Sequence, residues 1–171
     1  INMNDFKIIT FDVEHGNCHV LVTPNNHYFM IDAGSTDNFS PIIHLKNNWG
    51  VTQLRWLIIT HHDSDHLTDI SNIDEYLPPT TLSSPDITVE KLSELYDDEF
   101  SIPCDVFLEM KKRYYIPALP LSHEGYDWGG VQFANFSNKI DKLDKQNIND
   151  ISTVTFVKYM AWTLIFPGDR I

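Results

Sequence analysis

The segment "ITHHDSDHLTD" places three histidines and three aspartates directly after the apolar run "RWLII". The run "LRWLIIT" is apolar enough to form a strand that is buried on both faces. A loop that leaves a buried strand is held by a rigid sheet edge, so its side chains keep defined distances from one another. This feature predicts a layered α/β fold with a polar site at the carboxyl end of one central strand.

Four residues of this segment, His61, Asp63, Asp65 and His66, have the side chains and the spacing of metal ligands. Residues 61 and 63 can point the same way while residues 65 and 66 reach a second position, so the segment can serve two adjacent cations. Imidazole combined with carboxylate suits zinc, and a set this rich in oxygen also accepts manganese or iron. The alternative is a polar loop whose aspartates cap the following helix. The complete set after a buried strand favours the metal site.

The N-terminal half has a strand-rich pattern around this loop. A short helix is predicted over residues 40–50, which begin with Ser-Pro and end with Gly. A second helix is predicted over residues 67–77, where apolar residues recur every three or four positions. Three further strands are rich in β-branched and aromatic residues and separated by turn residues: "FKIITFDV", "CHVLVT" and "HYFMID".

The C-terminal half is predicted to contain a helical layer and then more strands. Residues 78–120 are interpreted as a helical insertion or linker layer, with a breaker-rich loop at 78–85 and two short helices joined by "SIPC". "GGVQFANFS" is predicted as a strand and residues 138–150 as a polar loop. "STVTFVKYMAWTLIFPGD" is predicted as a hairpin that turns near Met160 and Ala161. Strands followed by helices indicate an α/β layered domain.

Charge and cysteine content limit the function and the compartment. Twelve basic and 24 acidic residues give a formal net charge of −12, and such a field repels broad nucleic-acid surfaces and anionic membranes. Cys18 and Cys104 lie far apart and show no Cys-x-x-Cys spacing, which favours reduced thiols. No apolar run approaches the roughly 20 residues that span a bilayer. We therefore expect a cytoplasmic protein with no membrane partner and no broad nucleic-acid patch.

The chain resembles the metallo-β-lactamase fold superfamily, whose signature is His-x-His-x-Asp-His after a buried strand. It is most similar to the branch that contains the hydrolase domain of the competence protein ComEC, where Asp replaces the second His, as at Asp63. Three further stretches agree in order: "FDVEHGNCHVLV", "MIDAGST" and "STVTFVKYMAWTLIFPGD". The resemblance implies a single αββα sandwich domain over residues 1–171, incomplete at the C-terminus as given.

The resemblance also implies a ligand set for two divalent metal ions, zinc or manganese. His61 and Asp63 are expected to bind the first ion, Asp65 and His66 the second, and Asp169 both. Asp65 is in addition expected to orient the attacking water.

The resemblance also implies roles for four residues that lie near these ligands in the sequence or in the family's fold. Asp32 is expected to lie behind them and to orient a histidine. His15 and Asn17 belong to a loop that lines the mouth of the site in this family, and His123 is a candidate for an extra ligand. His62 is expected to face away from the metals.

The reaction implied by the resemblance is metal-assisted hydrolysis of a phosphodiester or nucleotide-like substrate. Family members continue past the Gly-Asp hairpin to a final histidine for the second metal, whereas this sequence stops at Ile171. One expectation is therefore that the natural chain has a further C-terminal segment or that a partner chain completes the enzyme. The alternative is a degenerate binding or regulatory module without activity.

Overall fold

The computed structural model describes residues 5–96, 102–116, 119–138 and 148–169. Its main sheet has five strands in the order β1–β2–β3–β4–β5. Strands β1 to β3 are antiparallel neighbours, while β3, β4 and β5 run parallel to one another. The strand bounds are Lys7–Thr10, His19–Val22, Tyr28–Ile31, Leu54–Ile58 and Pro79–Ser83.

Four helices accompany this sheet within the described residues: α1 Pro41–Trp49, α2 Ile70–Tyr76, α3 Val89–Tyr96 and α4 Ile102–Arg113. The ends of α1 follow from the sequence. The Ser40 side chain accepts a hydrogen bond from the Ile43 backbone N–H, and Gly50 ends the helix with a left-handed φ of 65°. The predicted helix over residues 40–50 is therefore confirmed in position and in its caps.

Within the described residues, a second sheet has three antiparallel strands in the order β6–β7–β8, with bounds Gln132–Phe136, Val154–Tyr159 and Trp162–Phe166. Strands β7 and β8 form the predicted hairpin. Its turn is at Met160, which takes a positive φ of 52°. The hairpin delivers Gly168 and Asp169 immediately after β8.

Two apolar cores separate three layers. The first core lies between the main sheet and the helices, and it includes Ile42 of α1, Ile73 of α2 and Phe107 of α4. The second core lies between the two sheets, where Phe29 stacks on Phe133 with ring centroids 4.5 Å apart. The described residues thus build helix, sheet and sheet in that order, which confirms the predicted α/β class and the first three layers of the expected αββα sandwich.

One expectation about local structure is wrong. Residues 79–83 were expected to lie in a breaker-rich loop, but they form β5, which pairs in parallel with β4. Pro79 is tolerated because it is the first residue of an edge strand, where no ladder hydrogen bond needs its N–H. The expected helical layer over residues 78–120 therefore begins only after β5, with α3 and α4.

The polar loop expected at 138–150 lies largely outside the described residues, and its last residues belong to a short 3₁₀ turn, Ile148–Ile151. Within the part of the chain that the structure describes, no helix has the length and apolar character needed to cross a membrane.

Truncation of Phe29 tests the core between the sheets. Phe29 is fully buried, so Phe29→Ala removes its contact with Phe133 and should lower the free energy of unfolding by about 3–5 kcal/mol. Phe136→Ala is the matched control because Phe136 is 59% exposed, and it should cost under about 1 kcal/mol. Urea unfolding measures both, and equal effects would contradict the assigned packing.

Candidate metal centre

The carboxyl ends of β3 and β4 and the end of β8 converge on one cluster of polar side chains. Asp32 follows β3, His61 lies three residues beyond β4, and His66 closes a 3₁₀ turn, Ser64–His66. Asp169 comes from the other sheet, after Gly168. Parallel neighbours such as β3 and β4 end at the same sheet edge, which explains why Asp32 meets the His/Asp loop.

Two imidazoles and one carboxylate form the centre of the cluster. The Nε2 atoms of His61 and His66 lie 3.4 Å from different oxygens of Asp169, Oδ2 and Oδ1 respectively. The two rings meet edge to face with centroids 3.8 Å apart. Among the described residues, these three form the one group of ligand atoms that lie within 4.8 Å of one another.

Asp63 and Asp65 flank this centre on its solvent side. Asp63 Oδ2 is 3.4 Å from His61 Nε2, and Asp65 Oδ2 is 3.9 Å from His66 Nε2. Their side chains are 38% and 43% exposed, whereas both imidazoles are buried. The cluster is therefore a cleft with a buried imidazole floor and a carboxylate rim.

A buried carboxylate supports the floor. Asp32 has no exposed surface and accepts hydrogen bonds from His66 Nδ1 at 2.9 Å and from the hydroxyl and backbone N–H of Thr60, both at 2.7 Å. The Asn17 side-chain amide donates a fourth bond at 3.1 Å. Because His66 Nδ1 faces Asp32, its other nitrogen is left to face Asp65 and Asp169.

The surroundings of His66 shift its pKa. Burial alone would lower this pKa, but the hydrogen bond to Asp32 and the charges of Asp32, Asp65 and Asp169 outweigh burial and raise the pKa. The same negative charges that favour a proton on His66 also favour a bound cation.

Close backbone contacts hold the loops of the cleft together. A Cβ atom on Gly16 would clash with the carbonyl oxygen of Asp65, and one on Gly34 would lie 2.8 Å from the carbonyl oxygen of Asn17 and 3.0 Å from that of Asp65. Only glycine permits these approaches. The "EHGN" loop and the turn after Asp32 therefore both press on the backbone that presents Asp65.

The donor set fits a divalent cation. Two donors bound to one tetrahedral zinc at about 2.0–2.2 Å lie about 3.4 Å apart, and the separations of His61 Nε2 from Asp63 and Asp169 are 3.4 Å. His61 Nε2 is buried and makes no hydrogen bond among the described residues, a costly state for a polar atom that has no other partner. A cation at this point would satisfy it and offset the charge of the rim.

The remaining predicted residues fall in three places. Asn17 faces inward, since its amide bonds Asp32, while His15 lies in an exposed part of the same loop. His123 accepts a hydrogen bond from the Gly125 N–H and packs against Tyr126, and it does not belong to the group of His61, His66 and Asp169. Of these residues, the structure therefore brings only Asn17 into contact with the supporting network.

Sequence reasoning missed Thr60, although it touches Asp32 and lies next to His61. A threonine at the end of a strand is too common to give a signal by itself. Gly16 gave only a weak signal, because a single glycine in a loop permits a close backbone approach without requiring one.

Comparison with known proteins assigns the chain that forms this cleft to a protein family. The sequence profile of the metallo-beta-lactamase superfamily matches residues 11–134, well over half of the chain. The chain belongs to this superfamily. Members are mostly metal-dependent hydrolases and typically bind divalent metals. This match does not assign a branch of the superfamily, so the ComEC-type branch stays a prediction. The comparison with curated proteins found no match.

Solved structures agree with this assignment at the level of the fold. A HARLDQ-motif mutant of a metallo-beta-lactamase from Cronobacter sakazakii superimposes with a TM-score of 0.60 at 17% identity, over 93% of this chain and 60% of that chain. A second structure of the Cronobacter sakazakii HARLDQ-motif protein gives 0.57 at 15%, over 93% and 55%. CmlA, a diiron beta-hydroxylase from Streptomyces venezuelae, gives 0.51 at 12%, over 95% and 30%. The present chain thus spans 60% or less of each of these structures.

His62 lies beside the centre but on the other side of the chain. Its ring is 2% exposed and packs against Phe107 of α4, and neither ring nitrogen has a hydrogen-bond partner among the described residues. Burial lowers the pKa of His62 to about 3, with smaller contributions from Lys111 and His61. His62 therefore faces the helical core, in agreement with the expectation that it points away from the metal ligands.

The low pKa predicts an acid-dependent loss of stability. Below pH 6.5 the unfolded chain protonates His62 while the folded chain does not, so stability is lost as the pH falls from about 6.5 towards 3. At pH 4.5 this loss is about 2–3 kcal/mol. His62→Phe should reduce it, as measured by urea unfolding of chelator-treated protein at pH 7.5 and 4.5. His123→Phe is the exposed control, and an unchanged pH dependence in His62→Phe would show that His62 is not buried in its neutral form.

Proposed function

We propose that this protein is a metal-dependent hydrolase that uses two divalent cations, zinc or manganese, to cleave phosphodiesters. The observation that carries the proposal is the convergence of His61 Nε2, His66 Nε2 and both oxygens of Asp169 in one cleft. Three ligand-type groups from two different sheets meet there without satisfying one another's hydrogen-bonding needs, since His61 Nε2 has no hydrogen bond among the described residues.

The ligands divide into two sets that share one carboxylate. His61, Asp63 and Asp169 would hold the first cation, and Asp65, His66 and Asp169 the second. The separate oxygens that Asp169 turns to the two imidazoles support this bridging role. Asp32 would hold His66 in the orientation that leaves its Nε2 free for the second cation.

Bound cations would supply Lewis acidity, which activates water and offsets negative charge that develops on the substrate. Asp65 is the proposed catalytic residue. Its half-exposed carboxylate lies on the rim, where it can both contact the second cation and accept a hydrogen bond from the attacking water. Gly16 and Gly34 both pack closely on the Asp65 carbonyl, so the backbone that carries this carboxylate is held in place.

The negative charge of the rim and of the whole chain favours a small phosphodiester substrate over a long nucleic acid. Three carboxylates, Asp63, Asp65 and Asp169, form the exposed rim, so an anionic substrate is repelled unless cations reverse the local charge. The net charge of −12 disfavours a long nucleic-acid groove. A nucleotide, a short single strand or a substrate delivered by a partner is therefore favoured.

A second candidate is a binding or regulatory module that holds one cation without hydrolysis. Two observations favour it: Asp65 Oδ2 lies 3.9 Å from His66 Nε2, and the described group around Asp169 contains one imidazole for each cation. A second cation would then be weakly held unless another chain segment or a partner contributes a ligand. Metal stoichiometry separates the candidates, because the enzyme needs two cations and the module needs one.

Removal of Asp65 tests the hydrolase directly. Asp65→Asn should lower hydrolysis of bis(p-nitrophenyl) phosphate by about 100-fold or more, because the amide can neither accept a proton nor bind the cation as well. Since Asp63 supplies oxygen rather than imidazole, manganese should support the wild-type rate at least as well as zinc. His123→Gln is the matched control and should retain the wild-type rate.

Two results would contradict the proposed hydrolase: hydrolysis that survives both chelation and Asp65→Asn, and no activity at all in protein that binds two cations. Activity with zinc but none with manganese would contradict the expected metal preference.

A further inference from the structure

Thr60 occupies the point where the two sheets and the cleft meet. It is fully buried, and every polar atom that it carries is in use. Its backbone N–H donates to Asp32 Oδ1 at 2.7 Å, and its carbonyl oxygen accepts from the N–H of Thr153, the residue before β7, at 2.7 Å. Its hydroxyl lies 2.7 Å from Asp32 Oδ2 and 3.2 Å from His61 Nδ1.

The single hydroxyl proton of Thr60 decides the direction of these bonds. A carboxylate only accepts hydrogen bonds, so the Thr60 hydroxyl donates to Asp32. The hydroxyl oxygen can then only accept from its other neighbour, which requires the proton of neutral His61 to be on Nδ1. The lone pair of His61 is thereby left on Nε2, the atom that faces Asp63 and Asp169.

His66 is held in the same way but without an intermediary, because its Nδ1 contacts Asp32 directly at 2.9 Å. One buried carboxylate therefore fixes both imidazoles, one by direct contact and the other through a hydroxyl. We propose that Thr60 is a positioning residue that relays the orienting effect of Asp32 to His61, so that both Nε2 lone pairs face the cation site. This inference rests on the metal site of the proposed function.

Thr60 also positions the third ligand. A Cβ atom on Gly168 would lie 2.9 Å from Cβ of Thr60, and Gly168 has a positive φ of 62°. The Gly168 backbone therefore packs directly on the Thr60 side chain and carries Asp169 into the cleft. The hydroxyl acts on His61 while the hydrocarbon part supports the turn before Asp169, so the two effects can be separated by substitution.

The test compares Thr60→Val with Thr60→Ser. Valine keeps the shape next to Gly168 but removes the relay, and serine keeps the hydroxyl. Thr60→Val should weaken zinc affinity by about 10-fold or more, on the scale of lost outer-shell support, and Thr60→Ser should stay within about 3-fold of wild type. Competition with a chromogenic chelator measures zinc affinity in the purified full chain.

The matched control is Thr155→Val. Thr155 is also fully buried, but its hydroxyl has no hydrogen-bond partner among the described residues. Its replacement should therefore leave zinc affinity unchanged and stability equal or higher. A loss of affinity in both valine variants would mean that affinity follows general packing and would overturn the relay.

A second readout does not depend on metal binding. Nitrogen-15 NMR of chelator-treated protein at alkaline pH should show His61 protonated on Nδ1 in wild type and Thr60→Ser, with a mixture of tautomers in Thr60→Val. Wild-type His61 protonated on Nε2, or a Thr60→Val spectrum identical to wild type, would overturn the proposal. If wild type bound no zinc but showed the expected tautomers, the proposed function would fail while the relay stood.

Discussion

The buried charge of Asp32 is the constraint on which the site depends. A carboxylate with no exposed surface is costly unless several donors surround it, and Asp32 has four, from Asn17, Thr60 and His66. Asp32 has a positive φ of 58°, which is unusual outside glycine but tolerated by aspartate. These donors come from the loop of Asn17 and from the segment of residues 60–66, so satisfying one carboxylate after β3 brings three chain segments of the cleft together.

A second constraint is that the cleft draws on both sheets. His61 and His66 come from the main sheet and Asp169 from the β7–β8 hairpin, so the cluster forms only when the core between the sheets is packed. The carboxylates of Asp63, Asp65 and Asp169 outnumber the two imidazoles there, and like charges this close to one another repel unless a cation compensates them. A bound cation would therefore raise the free energy of unfolding in addition to activating water, because a ligand that binds only the folded state shifts the equilibrium towards it.

Local patterns predicted much of this arrangement. The buried strand before His61, the caps of α1 and the hairpin before Asp169 each have a short-range signal, and the resemblance to a known family supplied the expected role of Asp32. Strand β5 was missed because Pro79 obscured an edge strand whose pairing depends on β4. Thr60 was missed because its importance comes from contacts with Asp32, Thr153 and Gly168, which are distant in sequence. Long-range contacts of this kind leave no periodic pattern for sequence reasoning to detect.

Anomalous X-ray diffraction from crystals grown with zinc or manganese shows whether His61, His66 and Asp169 bind cations. We expect two anomalous peaks, one about 2.0–2.2 Å from His61 Nε2 and one at the same distance from His66 Nε2, each also at that distance from an oxygen of Asp169. Asp169→Asn crystals grown under the same conditions should show weaker peaks. A peak at His62 or His123 instead, or no peak in this cleft at saturating metal, would mean that these residues do not form the metal centre.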